Sequence, residues 1–501
     1  MQNSSLSQFS LVLIAFFWIF SSQAAQLPDL LLDDLKHEIR EADFISYDSE
    51  KRLQIIERLN QLFPANMLEA FQYVHQEFQA ELPHFRNNYE VTHIVGKKSK
   101  SLTQLTPLEK IKLNGSHAIH DLNAYSQNRI GHGTAEFLKQ AKAEILILAL
   151  KTDSPLEALT RVLEPIKWTV LPIPSLYEHW GIQKFYVHSA TNSRIPKVIW
   201  IIPPSIQYLQ HYVNTFGLFS KTKVRGFYDY ESAKNFRNRI AKEAKREKSP
   251  QLKVDYLIFG YQKVWERYLT TELKSEIIEQ LKIEIPSTHS NISIFKIKST
   301  SSPTGTMTLG LFSTHSTVWG ELINSFMPSF FHSQLKGVIF MGSAGSLDPH
   351  IKIYDLSVPT SFVRSGKKLK LTNLLSSNEQ SDVQVSLRHG NTFSPVQQNL
   401  EYLKMLMSQN IKTIDVEQSL LAEAVEDFNR VHQTDVKFGA INLITDKPYH
   451  AVTGKAGTLG LDQYDPEKKQ KSRERAVEFV FKSLGKSHPS SASCRQVISA
   501  F

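Results

Sequence analysis

The sequence predicts an α/β protein: a helical and small α/β N-terminal region, then a larger C-terminal α/β domain. Three observations carry that reading. Short apolar runs of strand length recur from Glu144 onward, as in EILILAL, KVIWII and GVIFM. Amphipathic stretches with apolar residues three and four apart lie between them, so strands alternate with helices and imply a central sheet covered on both faces. No 20–50-residue repeat suggests a solenoid. The 501 residues are 41% hydrophobic and 21% charged, a globular composition that excludes a disordered or collagen-like chain. That length allows two or three domains at roughly 100–200 residues each.

Leu11 to Phe20 (LVLIAFFWIF) is uncharged and too short to span a bilayer, and Ser22-Gln23-Ala24 follows with small residues. The expectation is a signal peptide over 1–24 and an exported protein, although Met1 to Ser10 has no Lys or Arg. An uncleaved apolar helix is the other reading. Residues 27–140 read as mainly helical, with LPDLLLDDLKHEIREADF and SEKRLQIIERLNQLF amphipathic and 89–134 less regular. His132, between two glycines, reads as a turn residue. Residues 141–250 read as a small α/β domain. Glu144–Leu150 is a buried strand running into a helix with Pro155 in its first turn, Lys197–Ile202 is a second strand, and Val224–Tyr228 a third. The charged stretch 231–250 is a solvated helix; interleaved acids and no aromatic platform argue against nucleic acid.

Residues 253–486 form the second α/β series. Val254–Gly260, Ser293–Lys298, Thr306–Phe312, Gly337–Met341 and Lys437–Ile444 are its strands; Trp265–Leu281, Ile414–Phe428 and Arg473–Leu484 are its helices. No later segment is apolar enough to span a membrane, and 487–501 is a Ser-rich flexible tail. Net charge is +9, a mild bias that favours encounter with anions such as nucleotides. The only cysteine, Cys494, excludes intrachain disulfides and Cys-based structural zinc. Nor does the chain hold H-E-x-x-H, a P-loop, G-x-S-x-G or a Rossmann fingerprint.

Three signals for chemistry fall on strand ends. Gly342-Ser343-Ala344-Gly345 follows GVIFM, where small residues let a ligand approach the backbone; a tight turn reads the same way. Asp415-Val416-Glu417 enters a helix, where an acid also favours the helix N-terminus. Asp446 ends KFGAINLITD as a catalytic carboxyl or as a cap.

In order and context, these runs resemble one family. GVIFMGSAGSLDPHIKIYDLSV is similar to the strand–GSAG–loop–GD–strand core of the purine nucleoside phosphorylase and nucleosidase superfamily. TIDVEQSLLAEAV resembles its acidic-Met-Glu helix start, FGAINLITDKPYH its strand ending in Ser-Asp, and Arg388–Phe393 its Gly-Asp-x-Phe segment. The run Asp446–His450 is most like the AMP nucleosidase branch, the GSAG core most like the methylthioadenosine nucleosidase branch. The resemblance covers about 253–485 and implies a three-layer α/β/α phosphorylase-like domain.

It also implies chemistry. Asp446 would protonate or hydrogen-bond the purine ring and make the base a better leaving group. Glu417 would hold the ribose hydroxyls as the sugar becomes oxocarbenium-like. Phe393 would stack on the base, Val416 would pack on ribose in place of Met, and Ser343, Ala344 and Gly345 would line the sugar side. The nucleophile side departs from the family. Trp265 stands where a water-positioning Glu is expected, with Glu266 one place beyond, and Tyr354 replaces a glycine before Asp355. A glycine loop is replaced by Ser313, Thr314 and Ser316, whose hydroxyls could hold an anion or a water. The expected function is cleavage of a purine nucleoside or nucleotide N-glycosidic bond, by water rather than phosphate, in a possible homo-oligomer. No metal or organic cofactor is expected; phosphate is a possible co-substrate. The alternative is a catalytically inactive phosphorylase-fold module that binds a purine ligand or a protein partner.

Overall fold

The structure, a computed structural model, describes residues 29–40, 42, 47–63, 65–79, 92–98, 102–105, 129–140, 143–152, 154–176, 182–189, 195–219, 223–246, 253–285, 290–299, 302, 304–312, 323–324, 327–364, 366–376, 383–395, 398, 400–453 and 465–486. The expected signal peptide, Ser313, Thr314, Ser316 and the 487–501 tail lie outside them. The chain divides into two compact units, one of 1–112 with 121–234, the other of 113–120 with 235–501.

In the first unit three helices, α1 (29–40), α2 (Ser49–Leu62) and α3 (Met67–Phe78), bury one stripe each: Leu32, Leu35 and Ile39 meet Ile55, Ile56 and Leu59, with Phe71, Val74 and Phe78. Asp48 and Asn66 cap α2 and α3 by accepting the amides of Lys51 and Glu69. Seven strands follow the order β1-β4-β5-β6-β3-β7-β2. They are β1 (Thr92–Val95), β2 (Thr103–Leu105), β3 (Glu144–Ala149), β4 (Lys167–Ile173), β5 (Gln183–His188), β6 (Lys197–Ile202) and β7 (Val224–Tyr228). Central β3 runs parallel to β6 and β7 and the outer pairs are antiparallel. β1 and β2 come from the stretch that reads as irregular. They are four and three residues long and lie at the two edges, where sequence periodicity is weakest.

His132 is not a turn residue. It opens helix α4 (His132–Gln140), and the turn is Gly131, with φ 98°. Asp34 of α1 receives the first turn of α4: Gly133 N–H at 2.6 Å, Thr134 N–H at 2.8 Å and the Thr134 hydroxyl at 2.6 Å. Helix α5 (Pro155–Thr160) follows β3, α6 (Ile206–Gly217) joins β6 to β7, and α7 (Tyr230–Arg246) leads out of the unit along the chain.

The second unit is a three-layer α/β/α domain. Its strands are β8 (Tyr256–Phe259), β9 (Ile277–Ile285), β10 (Ser290–Lys298), β11 (Thr306–Phe312), β12 (Gly337–Ser346), β13 (Leu356–Arg364), β14 (Lys367–Thr372), β15 (Val383–Asn391), β16 (Thr413–Asp415) and β17 (Lys437–Asp446). They follow the order β14-β13-β15-β16-β12-β8-β11-β10-β9, and β17 pairs with both β12 and β13. The pairings β12–β17–β13–β15–β16–β12 therefore close a ring of strands. Helices α8 (Gln262–Glu272) and α12 (Pro466–Lys486) cover one face, where Trp265 and Leu269 pack with Val477 and Val480. Helix α10 (Gln418–His432) covers the other through Leu421, Ala424 and Val425, against Val338, Phe340, Phe362 and Phe438. α9 (Leu400–Ser408) and α11 (Pro448–Val452) complete the helices named here.

Three elements differ from the expectation, the first being the helix expected over Ile414–Phe428: Ile414 and Asp415 belong to β16, paired with β12 and β15, and α10 begins at Gln418. The helix expected over Trp265–Leu281 stops at Glu272, and IIEQLKIEI becomes β9 because it pairs along its whole length with β10. Its Ile and Leu residues satisfy both periods, and the neighbouring strand decides. GSAG is not a turn after GVIFM: β12 continues through it to Ser346, paired with β17.

Candidate functional site

β12 is parallel to both β8 and β17; its carboxyl end lies beside that of β17, while β8 ends earlier, opposite Phe340. Open α/β sheets place ligands outside such ends. Asp446 ends β17 opposite Gly345 of β12, at a register shift that follows Ala344. A methyl built on Gly345 would stand 2.8 Å from Asp446 Oδ2 and 3.0 Å from Pro448 Cγ, so the glycine is what lets the carboxylate lie against the backbone. Asp446 is half-buried, and the Thr445 hydroxyl donates to its Oδ1 at 3.2 Å.

On the other side of β12, Gly345 pairs with Ile414 of β16, and Gly390 of β15 pairs with the same Ile414. Four strands thus carry Asp446, Gly345, Ile414 and Gly390 at one level. Val416 and Glu417 leave that level into α10, and Phe393 leaves it from β15. Val416 is buried, Glu417 is half-buried, and Phe393 is 36% exposed, among the larger exposures for an aromatic residue here. Ser343 is exposed, while Ala344 packs with Ile351 and Ile444. The site residues expected on β12, β15, α10 and β17 therefore come from one edge of the ring.

The start of α10 is held from outside. Its N-cap, Glu417, makes no side-chain cap bond. Instead the Asp415 carboxylate accepts the amides of Glu417 at 3.2 Å and Gln418 at 3.1 Å, and Asn391 Oδ1 accepts that of Ser419 at 2.6 Å. Asp415 is itself buried against His389, whose Nε2 lies 2.9 Å from Oδ1, and His389 Nδ1 lies 2.9 Å from the Thr413 hydroxyl. Thr392, just before Phe393, donates its amide to Asp415 O at 2.7 Å.

The first loop, after β8, has a different character. Gly260 takes φ 88°, and a Cβ there would sit 1.9 Å from Met341 O, so only glycine passes. Tyr261 follows in the left-handed region at φ 53°. Its hydroxyl donates to Gly342 O at 2.9 Å, and the Arg473 guanidinium lies over its ring at 5.4 Å. Burial pushes the Tyr261 hydroxyl pKa up, against the opposing pull of Arg473 and a hydrogen bond to Ser343. Trp265 is fully buried with Nε1 on Met341 Sδ at 3.0 Å, a core residue with no access to a ligand.

Glu266 faces β10. Its Oε1 accepts the Ser293 hydroxyl at 2.6 Å and Gln262 Nε2 at 3.0 Å. Ser293 pairs with Leu311, so this carboxylate stands near the carboxyl end of β11. The position before Asp355 keeps a glycine-like backbone without glycine: Tyr354 has φ 71°. Its amide donates to Ile444 O at 2.9 Å, and its hydroxyl accepts the amide of Asp465 at 2.7 Å. Lys447 is buried and donates to Pro349 O at 3.0 Å, which ties the Asp446–His450 run to the loop after β12.

Tyr261, Arg473 and His389 were not singled out by residue type, and Asp415 was marked only as an acid at a helix start. Tyr261 and His389 sit inside runs that the motifs mark, so their neighbourhood was legible; Arg473 is 212 positions along the chain from Tyr261 and only folding joins them. Among the described residues, no group of three His, Cys, Asp or Glu side chains could hold a metal ion, and no helix is long and apolar enough to cross a membrane.

No family model matches the sequence, and a search of curated proteins finds no match. Solved structures similar to this chain include a 5′-methylthioadenosine/S-adenosyl homocysteine nucleosidase from Campylobacter jejuni, 15% identical, with a TM-score of 0.32 over 46% of this chain and 99% of that one. A futalosine hydrolase mutant from Helicobacter pylori is 14% identical, TM-score 0.32, over 46% of this chain and 98% of its own. A purine nucleoside phosphorylase from Schistosoma mansoni is 11% identical, TM-score 0.32, over 50% of this chain and 96% of its own. Each of these likenesses covers about half of this chain.

Proposed function

We propose that the second unit cleaves the N-glycosidic bond of a purine nucleoside or nucleotide, with water as the acceptor. The observation that carries this reading is the level shared by Asp446, Gly345 and the start of α10. It sets one carboxyl at the end of β17 and a second, Glu417, at a helix start across β12. Those two positions suit a reaction that needs a proton at the base and negative charge near the sugar. As the C1′–N9 bond breaks, its electron pair leaves with the purine, and Asp446 delivers a proton to the ring. Glu417 accepts hydrogen bonds from the ribose hydroxyls and favours the cationic sugar. Water adds its oxygen to C1′ and passes its proton to Glu266, a proton returns from solvent to Asp446, and the products are free base and ribose or, from a nucleotide, its ribose phosphate. Phe393 supplies an aromatic face for the base.

Hydrolysis is favoured over phosphorolysis because Tyr261, with its ring under Arg473, takes the first-loop position where an anion would need open backbone amides. Glu266, beside the carboxyl end of β11, is the carboxylate proposed to orient the water. Delivery outside the cell belongs to the same proposal and rests on residues 11–25 alone.

A second reading, a module that binds a purine compound without cleaving it, is favoured by one observation. Trp265, fully buried, occupies the place where the resemblance implies a water-positioning Glu. Chromatographic detection of free base separates the two. Adenosine, inosine, guanosine, methylthioadenosine and AMP are each incubated with protein, with and without phosphate. Release without phosphate, lost by 10²–10⁴-fold in Asp446→Asn, is the expected result. Turnover within about twofold in that variant removes Asp446 from the acid role. Ligand-induced thermal stabilisation with no base released supports the binding module.

A further inference from the structure

His389 has no part in the chemistry proposed above, yet its side chain is fully buried and both ring nitrogens are engaged. A polar ring in that position needs a reason. Its partner supplies one: the Asp415 carboxylate that His389 meets at 2.9 Å is the same group that accepts the amides of Glu417 and Gln418. In one tautomer Nε2 donates to the Asp415 carboxylate while Nδ1 accepts the Thr413 hydroxyl, so one ring serves both contacts.

We propose that His389 is a positioning residue: through Asp415 it fixes the first turn of α10 and thereby sets where the Glu417 carboxylate stands. This rests on the reading of Glu417 as the group that holds ribose. The end of β15 grips α10 at three points. His389 holds the Asp415 side chain, Asn391 Oδ1 accepts the Ser419 amide, and Thr392 N–H donates to Asp415 O. The first two fix the helix start that carries Glu417, and the third ties that start to the strand end that carries Phe393. Because Glu417 makes no side-chain cap bond, the helix start depends on Asp415 and Asn391, and the Glu417 carboxylate is not used for the cap. Removing the imidazole leaves the Asn391 and Thr392 contacts in place. The loss should therefore fall on the ribose side and spare the base side.

The test uses the full chain with His389→Ala and His389→Gln. A Gln carbonyl and amide can replace both ring contacts. In the ligand-free protein, hydrogen exchange at the Glu417 and Gln418 amides rises about five- to tenfold in His389→Ala, while amides 424–428 keep their protection. In turnover, kcat falls about tenfold, the inhibition constant of the free purine base stays within about twofold, and His389→Gln restores both exchange and kcat. Thr413→Val, which removes the hydroxyl on Nδ1, serves if His389→Ala does not fold, and raises exchange at the same two amides by a smaller factor. Unchanged exchange at residues 417 and 418 overturns the proposal. So does uniform loss of protection along α10 together with loss of base binding, which would make His389 a core residue only. If the wild-type protein releases no base, the cleavage reading fails, while the exchange result still decides whether His389 positions Glu417.

Discussion

Gly345→Ala perturbs the candidate acid without removing it. The backbone there does not adopt a left-handed φ, so the substitution acts through contacts alone. The new methyl would meet Asp446 Oδ2 at 2.8 Å, with Pro448 Cγ at 3.0 Å and Cδ at 3.1 Å, where ordinary contact begins at 3.4 Å. One carboxylate oxygen must therefore retreat by roughly 0.6 Å, and the Pro448 ring, two residues on, must give by a few tenths of an ångström as well. A displacement of about 1 Å at a reacting group can cost 10²-fold. About a tenfold fall in kcat is the expected effect, close to 1.4 kcal/mol of transition-state stabilisation. The assay is base release under saturating substrate, run beside thermal unfolding, with KM expected to change less than kcat. A kcat within twofold of the wild type, in a protein that unfolds at the same temperature, would refute the placement of Asp446 at the reacting atoms.

Two predictions concern the first unit. His211 is buried in α6, and desolvation, followed by the charge of Arg129, lowers its pKa well below 6.5. It stays neutral in the folded chain and takes a proton on unfolding, so its contribution is present above pH 6.5 and is lost as pH falls below that value. Denaturant titrations between pH 8 and about pH 5 should show a component of at most about 1.4 kcal/mol per pH unit that His211→Gln lacks; equal slopes would remove it. Asp34→Asn replaces an acceptor of three hydrogen bonds with a group whose amide faces N–H donors. A loss of about 1–3 kcal/mol in unfolding free energy is expected. Stability within about 0.5 kcal/mol of the wild type would show that α4 does not depend on this contact.

Of the second unit's strands, β8, β12 and β17 were legible because they are continuous apolar runs, a pattern that survives without knowledge of neighbours, whereas β14 and β15, with interleaved polar residues, were not expected. IIEQLKIEI was not, because its apolar positions fit a helix as well as a strand and β10 makes the choice. At the site, Asp446, Glu417 and Phe393 were proposed from the runs around them. Tyr261 was passed over because a tyrosine after glycine has no distinctive chemistry until Arg473 covers its ring. His389 was passed over for a similar reason: its meaning comes from Asp415, 26 positions away.

The sequence by itself determined the alternation of strands and helices, the order of the motifs, and the residue types available for a proton and for the sugar. These follow from periodicity and local backbone demand, which act over a few residues. The tertiary structure decided which carboxyl holds the start of α10. Asp415 and Glu417 are two positions apart and equally acidic. Asp415 is turned inward to His389 and the helix amides, whereas Glu417 is left at the ring's edge. It also decided that Glu266 faces Ser293. Such assignments depend on which side chain burial forces a carboxylate to meet, since a buried charge is tolerated only when it is paired and hydrogen-bonded.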